Sequence, residues 1–484
     1  MIHHYRRSLS CILILLLSVA SFRTVSANSA QSYWEGTDAS GQIITEGDSP
    51  LQIESEDLTF EIHQFPESSI GTSSELSEYQ DHVVAEYRLS NPSEYTVTAR
   101  LFFPYGHVPS YIHIQDENGD PLFFPDSSSH EVTVDGQSIE YTLRHSYSHY
   151  FEKFEVGRDL GRLHEEIVDH DFFRQDLPVH FYTLKPEEEL CDGAELSVDM
   201  DLADRSRIYY FKDLCSLSGY EDHYTAMMNT DPEDGLYHIT VFGEPLSEQS
   251  VFEIYDCSDT ARNHPLQISV GLAEHRVSTL KEELMKIRPE NLGISETDWI
   301  NAGFDFLKDT ASDMPLLAEI GVNTDLGHML MRWMEYEITL EPGQTITNTV
   351  KAPLYPSIDR GYDPEVYEYT YLISPVTTWA FTGPIRVHLN TEFELVDNNE
   401  KFWTQTGKGY MKSLEDLPDE ELIFTLSTAS HPVRKSFVND LVRDPLEILS
   451  HSGLVFSLLF ILLLPILLLI LLYVVIHRWI RNKK

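Results

Sequence analysis

The stretch VTVDGQSIEY, residues Val132 to Tyr141, decides the fold class of this chain. Apolar and polar residues alternate on both sides of Asp135-Gly136, as they do in half-buried strands. Tight hairpin turns favour the pair Asp-Gly, because both of its positions adopt positive φ. The stretch therefore predicts a β-hairpin.

Strand pairs of the same kind recur along the chain. His82 to Leu89 and Thr96 to Phe103 flank the turn signal Asn91-Pro92-Ser93. Further strand patterns occupy much of 179–270, and they resume from Met334 onward. Paired short strands at this spacing predict an antiparallel β-sandwich-like ectodomain.

Helical patterns interrupt the strands in the middle of the chain. Apolar residues recur at helical spacing in 155–173 and along one face of 273–288. Ser295 is a candidate N-cap for a helix that runs through Leu307, and 316–331 has the pattern of a helix or part-helix. The predicted fold class is mainly β with a helical segment (α+β).

A membrane anchor is predicted near the C-terminal end, at Leu454 to Ile476. These 23 residues contain no charge. As a helix they span about 34 Å, which is enough to cross a hydrocarbon core of about 30 Å. The tail after them carries Arg478, Arg481, Lys483 and Lys484 and no acid. Such a tail stays in the cytoplasm by the positive-inside rule.

The N-terminus has the three-part plan of a secretory signal peptide. Arg6 and Arg7 precede the apolar run Ile12 to Ala20, and Val25-Ser26-Ala27 supplies small residues for cleavage after Ala27. An uncleaved N-terminal anchor is the alternative. Signal and anchor together predict a single-pass protein of the cell membrane, with its N-terminal ectodomain outside and its C-terminal tail in the cytoplasm.

These signals divide the chain into eight predicted segments. They are a signal peptide (1–27), an N-terminal β-sandwich-like domain (28–150), a mixed, strand-rich region (151–273), a helical segment (274–334), a C-terminal β region (335–430), a membrane-proximal stalk (431–453), the transmembrane helix (454–476) and the basic tail (477–484). The transmembrane helix is the predicted contact with the membrane.

The chain is strongly acidic. It has 78 Asp and Glu against 34 Lys and Arg, a net charge of −44, and seven of its cations lie in the signal peptide and the tail. Such a surface repels nucleic acid and anionic lipid, which excludes both as partners of the ectodomain. Cations and basic proteins remain compatible, and an acidic surface that serves only solubility is the alternative.

Cysteine is sparse in the exported part. Cys191, Cys215 and Cys257 allow one disulfide and one remaining thiol, with three possible pairings. The oxidising compartment permits a bridge. Cys191–Cys215 is the favoured pair, because both residues lie near predicted strand ends with a modest loop between them.

Partial motifs for catalysis and metal binding occur, and none is complete. His164-Glu165 begins like HExxH, but His170 is six positions on, about 120° around a helix from His164. Ser278 and Lys281 match SxxK without its companion motifs. The acidic turns at 116–120 and 231–235 lack a full calcium-loop pattern. The sequence therefore predicts no catalytic residue, no metal ligand and no cofactor.

Several stretches are similar to an uncharacterised family of exported, membrane-anchored β-rich proteins of Gram-positive bacteria. They are Trp34 to Ala39, Glu86 to Tyr95, Thr98 to Gly106, Tyr369 to Leu372, Trp379, and Gly383 to Ile385. The resemblance covers most of the ectodomain, and it implies a secreted or anchored β-rich protein. It carries over no catalytic residue.

Two function classes follow from these observations. The first is a membrane-anchored surface protein that binds or scaffolds another envelope or extracellular protein. The second is an anchored exported hydrolase whose site is assembled from residues distant in sequence. The strand-rich pattern and the incomplete motifs favour the first class.

Overall fold

The structure is a computed structural model of the chain. It describes residues 44–45, 49–66, 70, 78–109, 111–112, 130–149, 153–188, 194–201, 205–220, 223–231, 234–246, 252–255, 265–266, 268–289, 293–311, 316–317, 326–380, 383–396, 403–414 and 421–435. The predicted signal peptide, transmembrane helix and basic tail lie outside these ranges. Within them, no helix has the length and apolar character needed to cross a membrane.

The described chain is mainly β, as predicted. Its strands are β1 (Ile44–Thr45), β2 (Gln52–Ile62), β3 (His82–Ser90), β4 (Val97–Gly106), β5 (Glu131–Val134), β6 (Gln137–Ser138), β7 (Thr142–Tyr147), β8 (Pro178–Pro186), β9 (Glu195–Asp201), β10 (Arg207–Phe211), β11 (Leu214–Tyr220), β12 (His223–Met228), β13 (Tyr237–Gly243), β14 (Phe252–Tyr255), β15 (Val270–Thr279), β16 (Leu316–Leu317), β17 (Leu330–Leu340), β18 (Thr345–Pro353), β19 (Ser357–Asp359), β20 (Tyr362–Asp363), β21 (Val366–Tyr371), β22 (Ile385–Thr391), β23 (Glu394–Leu395), β24 (Thr404–Thr406), β25 (Gly409–Leu414), β26 (Leu422–Ser427) and β27 (Val433–Arg434). The helices described are α1 (Val156–Leu160), α2 (Leu280–Lys286) and α3 (Glu296–Thr310), with a 3-10 turn at Ser374–Thr378.

The predicted hairpin around Asp135-Gly136 is confirmed. β5 pairs with β6 antiparallel, with Val134 opposite Gln137. Asp135 has φ 50° and Gly136 has φ 75°, so both turn positions are left-handed. Asp135 also accepts a hydrogen bond from the backbone N–H of Thr347, at 2.8 Å, which ties the turn to β18.

The largest sheet joins strands from the two ends of the described chain. Its eight strands lie in the order β24-β25-β22-β2-β3-β18-β5-β6. The predicted segments 28–150 and 335–430 thus alternate within one sheet. β2 and β22 are parallel, with Ile62 opposite Thr391, while the other pairs of this sheet are antiparallel.

A second sheet, β19-β21-β26-β23, packs against the first through aromatic side chains. The ring of Phe60 on β2 lies 5.8 Å from the ring of Tyr371 and 5.1 Å from that of Phe424, both edge-on. All three side chains are fully buried. A third sheet, β1-β4-β17-β7, adds further residues to the same core. Burial alternates along β2, because successive side chains of a strand point to opposite faces and only one face of β2 contacts this core.

The middle of the chain has two cores of its own. The five-stranded sheet β15-β8-β13-β10-β16 packs on one face against α2 and α3, around Trp299 and Phe304. Its other face packs against the four-stranded sheet β11-β12-β9-β14. Alternate residues of β8 divide between these cores: Val179 joins the helical one, and Leu184 joins the one between the sheets.

The prediction of a helix from Ala273 to Arg288 is wrong for its first half. Val270–Thr279 forms strand β15, and helix begins only at Leu280. Thr279 and Glu282 form a capping box there, in which each side chain bonds the other residue's backbone N–H. Val277 and Thr279 are β-branched and disfavour helix, so pairing with β8 prevails in the residues before the cap.

Two other helix predictions change, and one is confirmed. In 155–173 only α1 is helical, and Gly161 ends it. In 316–331 the described residues include the strand β16, a short helical turn before Met329, and the first residues of β17. The helix capped by Ser295 is present, and the Ser295 hydroxyl accepts from the backbone N–H of Asp298 at 3.0 Å.

Candidate functional site

The candidate site is a groove at the carboxyl ends of the parallel strands β2 and β22. Parallel strands end on the same side of a sheet, so the residues that follow them meet there. One wall of the groove is formed by Glu61 and His63, and a second wall is formed by residues 390–394. The third part of the lining is residues 405–410, in the hairpin of β24 and β25. The groove encloses about 560 Å³. We call it the acidic groove.

Two exposed carboxylates line the acidic groove without a described ion-pair partner, and Lys408 is the cation in the same lining. Glu392 and Glu394 are exposed, and neither makes an ion pair or side-chain hydrogen bond within the described part of the chain. A third carboxylate, Glu61, lies in the wall. The Asn390 amide donates to Glu61 Oε1 at 2.6 Å, and His63 Nε2 lies 3.3 Å from Glu61 Oε2.

Aromatic stacking and backbone hydrogen bonds fix the walls. The ring of Phe65 lies between the rings of Tyr367 and Phe393, with centroid distances of 3.7 and 3.8 Å. The Tyr410 hydroxyl accepts from the backbone N–H of Leu395 at 3.2 Å. Phe393 is therefore held between Glu392 and Glu394, and the two carboxylates project from a rigid turn.

A buried carboxyl lies behind the groove. Asp81 Oδ1 accepts from the backbone N–H of His63 at 2.9 Å, while Oδ2 has no hydrogen-bond partner among the described residues. The residue is only 2% exposed, and burial raises the pKa of its carboxyl to about 7. Burial likewise raises the pKa of Tyr79 and of Tyr369, and the charge of Asp81 adds to both shifts.

A second cavity, of about 510 Å³, lies beside β4, β7 and β17. It is lined by Arg100, 140–142 and 335–337, and we call it the ion-pair cavity. Glu335 bridges two arginines here, accepting from Arg100 Nε and from Arg144 Nη1 at 2.6 Å each. Arg144 also donates to both oxygens of Asp298 at 3.0–3.1 Å.

The HE pair of the incomplete zinc motif contacts the arginines that pair with Glu335. Glu165 pairs with Arg100, which lowers the pKa of its carboxyl, and the His164 carbonyl accepts from Arg144 at 2.7 Å. His170 instead lies 3.1 Å from Asp305 on α3. These residues thus join α3 to β4 and β7, and the structure does not bring His164 and His170 to a common metal position.

The serine and the lysine of the SxxK motif each contact another side chain. Ser278 Oγ donates to Glu282 at 2.8 Å, and Lys281 Nζ lies 2.5 Å from Glu296. Ser278 and Lys281 therefore do not form a nucleophile and base. The acidic turn at 116–120 lies outside the described residues.

Asp231, Asp234 and His238 form a cluster that the sequence did not predict. One ligand atom from each lies within 4.8 Å of the others. Lys212 pairs with Asp231, and His238 Nε2 lies 3.0 Å from Asp234 Oδ2. The Lys212 ammonium already supplies a cation to the most buried carboxylate, so one of the two carboxylates in the cluster is neutralised.

The disulfide prediction stays a prediction. Cys215 lies on β11, and its thiol donates to the carbonyl of Met227 at 3.0 Å. Burial raises the pKa of this thiol, and nearby Glu195 adds to the shift. Cys191 and Cys257 lie outside the described residues.

The chain was compared with known proteins. No protein-family model matches it, and no curated protein does. Among solved structures, it is similar to a Legionella pneumophila protein described as a "putative nutrient binding protein". The identity is 8%, the alignment covers 81% of this chain and 72% of the other, and the TM-score is 0.30. A TM-score this low does not establish a common fold, so the likeness assigns neither fold nor function to this chain.

Proposed function

We propose that the protein is a single-pass, membrane-anchored extracellular binding protein with a β-sandwich-like ectodomain. Its ligand is a cationic segment of another protein, which it binds in the acidic groove. The observation that carries the proposal is the pair of exposed carboxylates, Glu392 and Glu394, which have no described ion-pair partner and, with Glu61, outnumber Lys408 in the lining of a concave groove.

The spacing of the groove carboxylates favours an extended cation over a metal ion. Metal ligands converge within a few ångströms of one another. Among the described residues, the group of carboxylates and histidine that does so is Asp231, Asp234 and His238, which lies elsewhere. Glu61, Glu392 and Glu394 are instead distributed along the groove, and Phe393 offers an apolar contact between the last two. Lysine or arginine side chains combine an apolar stem with a charged end and match this surface.

The affinity should be modest and salt-dependent. Exposed ion pairs each contribute roughly 0.2–1 kcal/mol. The net charge of −44 attracts basic partners from a distance, and salt screens that attraction.

Binding is tested with the full-length protein in lipid nanodiscs, titrated calorimetrically with a short lysine-rich peptide. Glu392→Gln combined with Glu394→Gln should weaken binding roughly tenfold, because two pairs are lost. The matched control is Glu335→Gln combined with Glu337→Gln in the ion-pair cavity, which should leave the affinity unchanged. Equal affinity in both double variants, or binding that is insensitive to salt, would contradict the proposal.

Anchoring is tested separately by topology. The uncharged segment Leu454 to Ile476 and the basic tail support an outside ectodomain. Protease added to intact protoplasts should therefore remove a fragment of about the size of the ectodomain and leave a tag on the tail protected. Cleavage of the tag with the ectodomain intact would exclude this orientation.

A further inference from the structure

The long strand β15 lies at an edge of its five-stranded sheet. It pairs with β8 over residues 270–279, and in the described part of the chain no strand pairs with its other side. The six residues from Leu272 to Val277 are all exposed. The first and last of them are apolar: Leu272 is 59% exposed and Val277 is 53% exposed. An edge this long presents unpaired backbone N–H and C=O groups that another strand can bond.

We propose that two copies of this chain pair edge to edge through β15, antiparallel, with His275 opposite His275 of the second copy. The pairing joins two five-stranded sheets into one continuous sheet about a twofold axis. It is independent of the acidic groove, because β15 belongs to the middle part of the chain.

The two faces of the sheet restrict the register of such a pair. Glu274 and Arg276 lie opposite Thr183 and Phe181 of β8, on the face that packs against α2 and α3. His275 lies opposite Tyr182 on the other face, and their rings stack with centroids 4.4 Å apart. Directly opposed residues in a continuous sheet lie on the same face. The symmetric registers that keep the faces aligned near the middle of β15 are therefore centred on Glu274, His275 or Arg276.

Charge selects one of these three registers. A pair centred on Glu274 opposes two glutamates, and a pair centred on Arg276 opposes two arginines, both of which are unfavourable. A pair centred on His275 opposes Glu274 to Arg276 of the second copy, and does so twice. Of these three registers, only the one centred on His275 makes β15 complementary to itself.

The charged side chains are already placed for this contact. Arg276 lies over the ring of Phe181, with Cζ 3.7 Å from the centroid, and donates to Glu283 at 2.9 Å. A guanidinium has five donors, so this bond leaves capacity for a second carboxylate. Glu274 makes no ion pair or hydrogen bond within the described part of the chain. Pairing would give Glu274 its partner and would cover Val277.

The opposite edge of the same sheet limits assembly to two copies. It ends in β16, which has two residues and pairs parallel with β10. Because this sheet has one long free edge among the described residues, a twofold pair through it closes and the sheet does not continue into a fibre.

Cysteine cross-linking of the full-length protein in membranes tests the register. In His275→Cys the two introduced residues are directly opposed, with Cα atoms about 4.5–5.5 Å apart, within the range for a disulfide. We expect a disulfide-linked dimer above the background of the parent protein. The control Val277→Cys is on the same face, but the register places its two copies about 13 Å apart along the strands, so it should not cross-link.

Charge reversal tests the selectivity. In the His275→Cys background, Glu274→Arg should reduce the dimer yield about tenfold. The change places an arginine opposite Arg276 of the other copy, and the twofold axis repeats this unfavourable pair once more. Arg276→Glu should do the same. A mixture of these two variants, tagged to differ in size, should restore the cross-link as a heterodimer, which shows that both remain folded.

The matched control is Glu188→Arg, at an exposed position beyond the end of β8. It makes the same change in net charge as Glu274→Arg and should leave the dimer unchanged. If general self-repulsion set the association, both variants would increase the yield. An increased yield in both variants would overturn the proposal. Equal cross-linking at positions 275 and 277 would also overturn it, as would the absence of a heterodimer in the mixture.

Discussion

The acidic groove and the ion-pair cavity have similar volumes and similar numbers of glutamates, but different surroundings. In the ion-pair cavity, Glu335 is only 16% exposed and accepts from two arginines at 2.6 Å. In the acidic groove, Glu392 and Glu394 are exposed and have no described partner. The two cavities therefore differ in their partly buried glutamate: Glu335 is paired with two arginines, whereas Glu61 is contacted by Asn390 and His63.

The ion pairs around Glu335 hold parts of the fold together, whereas the exposed carboxylates of the groove are available to a ligand. Arg144 connects β7 to Asp298 on α3 and to Glu335 on β17, so its ion pairs join the middle part of the chain to the third sheet. Glu335, already paired with two arginines, has little electrostatic attraction left for a ligand, although Glu140 and Glu337, which line the same cavity, are exposed and have no described partner. The groove retains its attraction because its carboxylates contribute little to holding the fold together.

The largest effect is expected from Arg144→Met. This change leaves Asp298 buried, at 2% exposure, with its main counter-ion removed. Breaking a buried pair from one side costs about 3–5 kcal/mol, which denaturant unfolding would measure. The double variant with Asp298→Asn should recover part of the loss. A loss of less than about 1 kcal/mol in the free energy of unfolding would show that the ion pairs of Arg144 do not hold the fold together.

The next effect is expected from Asp81→Asn behind the acidic groove. The pKa of Asp81 is raised from 3.8 to about 7, so the folded state holds a proton that the unfolded state releases. Stability from this group is therefore present below pH 4 and is lost as the pH rises to about 7.

Asparagine removes this loss and keeps an acceptor for the backbone N–H of His63. At pH 8 the variant should be more stable than the parent by on the order of 2–4 kcal/mol, and the difference should vanish near pH 4. Unfolding curves from pH 4 to 8 measure it, with Glu392→Gln as the control for loss of a carboxylate. A difference that does not change with pH would refute the linkage.

The smallest effect is expected from single glutamine substitutions at the two sites. Glu335→Gln should destabilise the protein by about 1–3 kcal/mol, because Arg100 and Arg144 lose a charged acceptor. Glu392→Gln should stay within about 0.5 kcal/mol of the parent, as exposed substitutions usually do. Thermal melts of the two variants measure their loss of stability. Equal losses would contradict the distinction drawn between the two cavities.

Local sequence determined those features that depend on few neighbouring residues. The Asp135-Gly136 hairpin forms because both residues accept positive φ. The helix after Ser295 begins there because the serine hydroxyl satisfies the Asp298 N–H at the exposed helix end. The mainly β class was likewise evident from alternating residues, since burial on one face of a strand imposes a period of two.

Tertiary pairing decided the features that local patterns leave open. The apolar spacing of 273–279 fits a helix, but the pairing of nine β15 residues with β8 and the cap at Thr279 make it a strand. The acidic groove depends on Glu61 and Asn390, which are 329 residues apart and meet because β2 and β22 are parallel neighbours. No local signal specifies such a pairing, since it depends on the closure of a sheet by strands from both ends of the chain. The sequence by itself therefore determined many of the strands and their turns, because these depend on local patterns, and only the tertiary structure decided which carboxylates are paired with arginine and which remain available to a ligand.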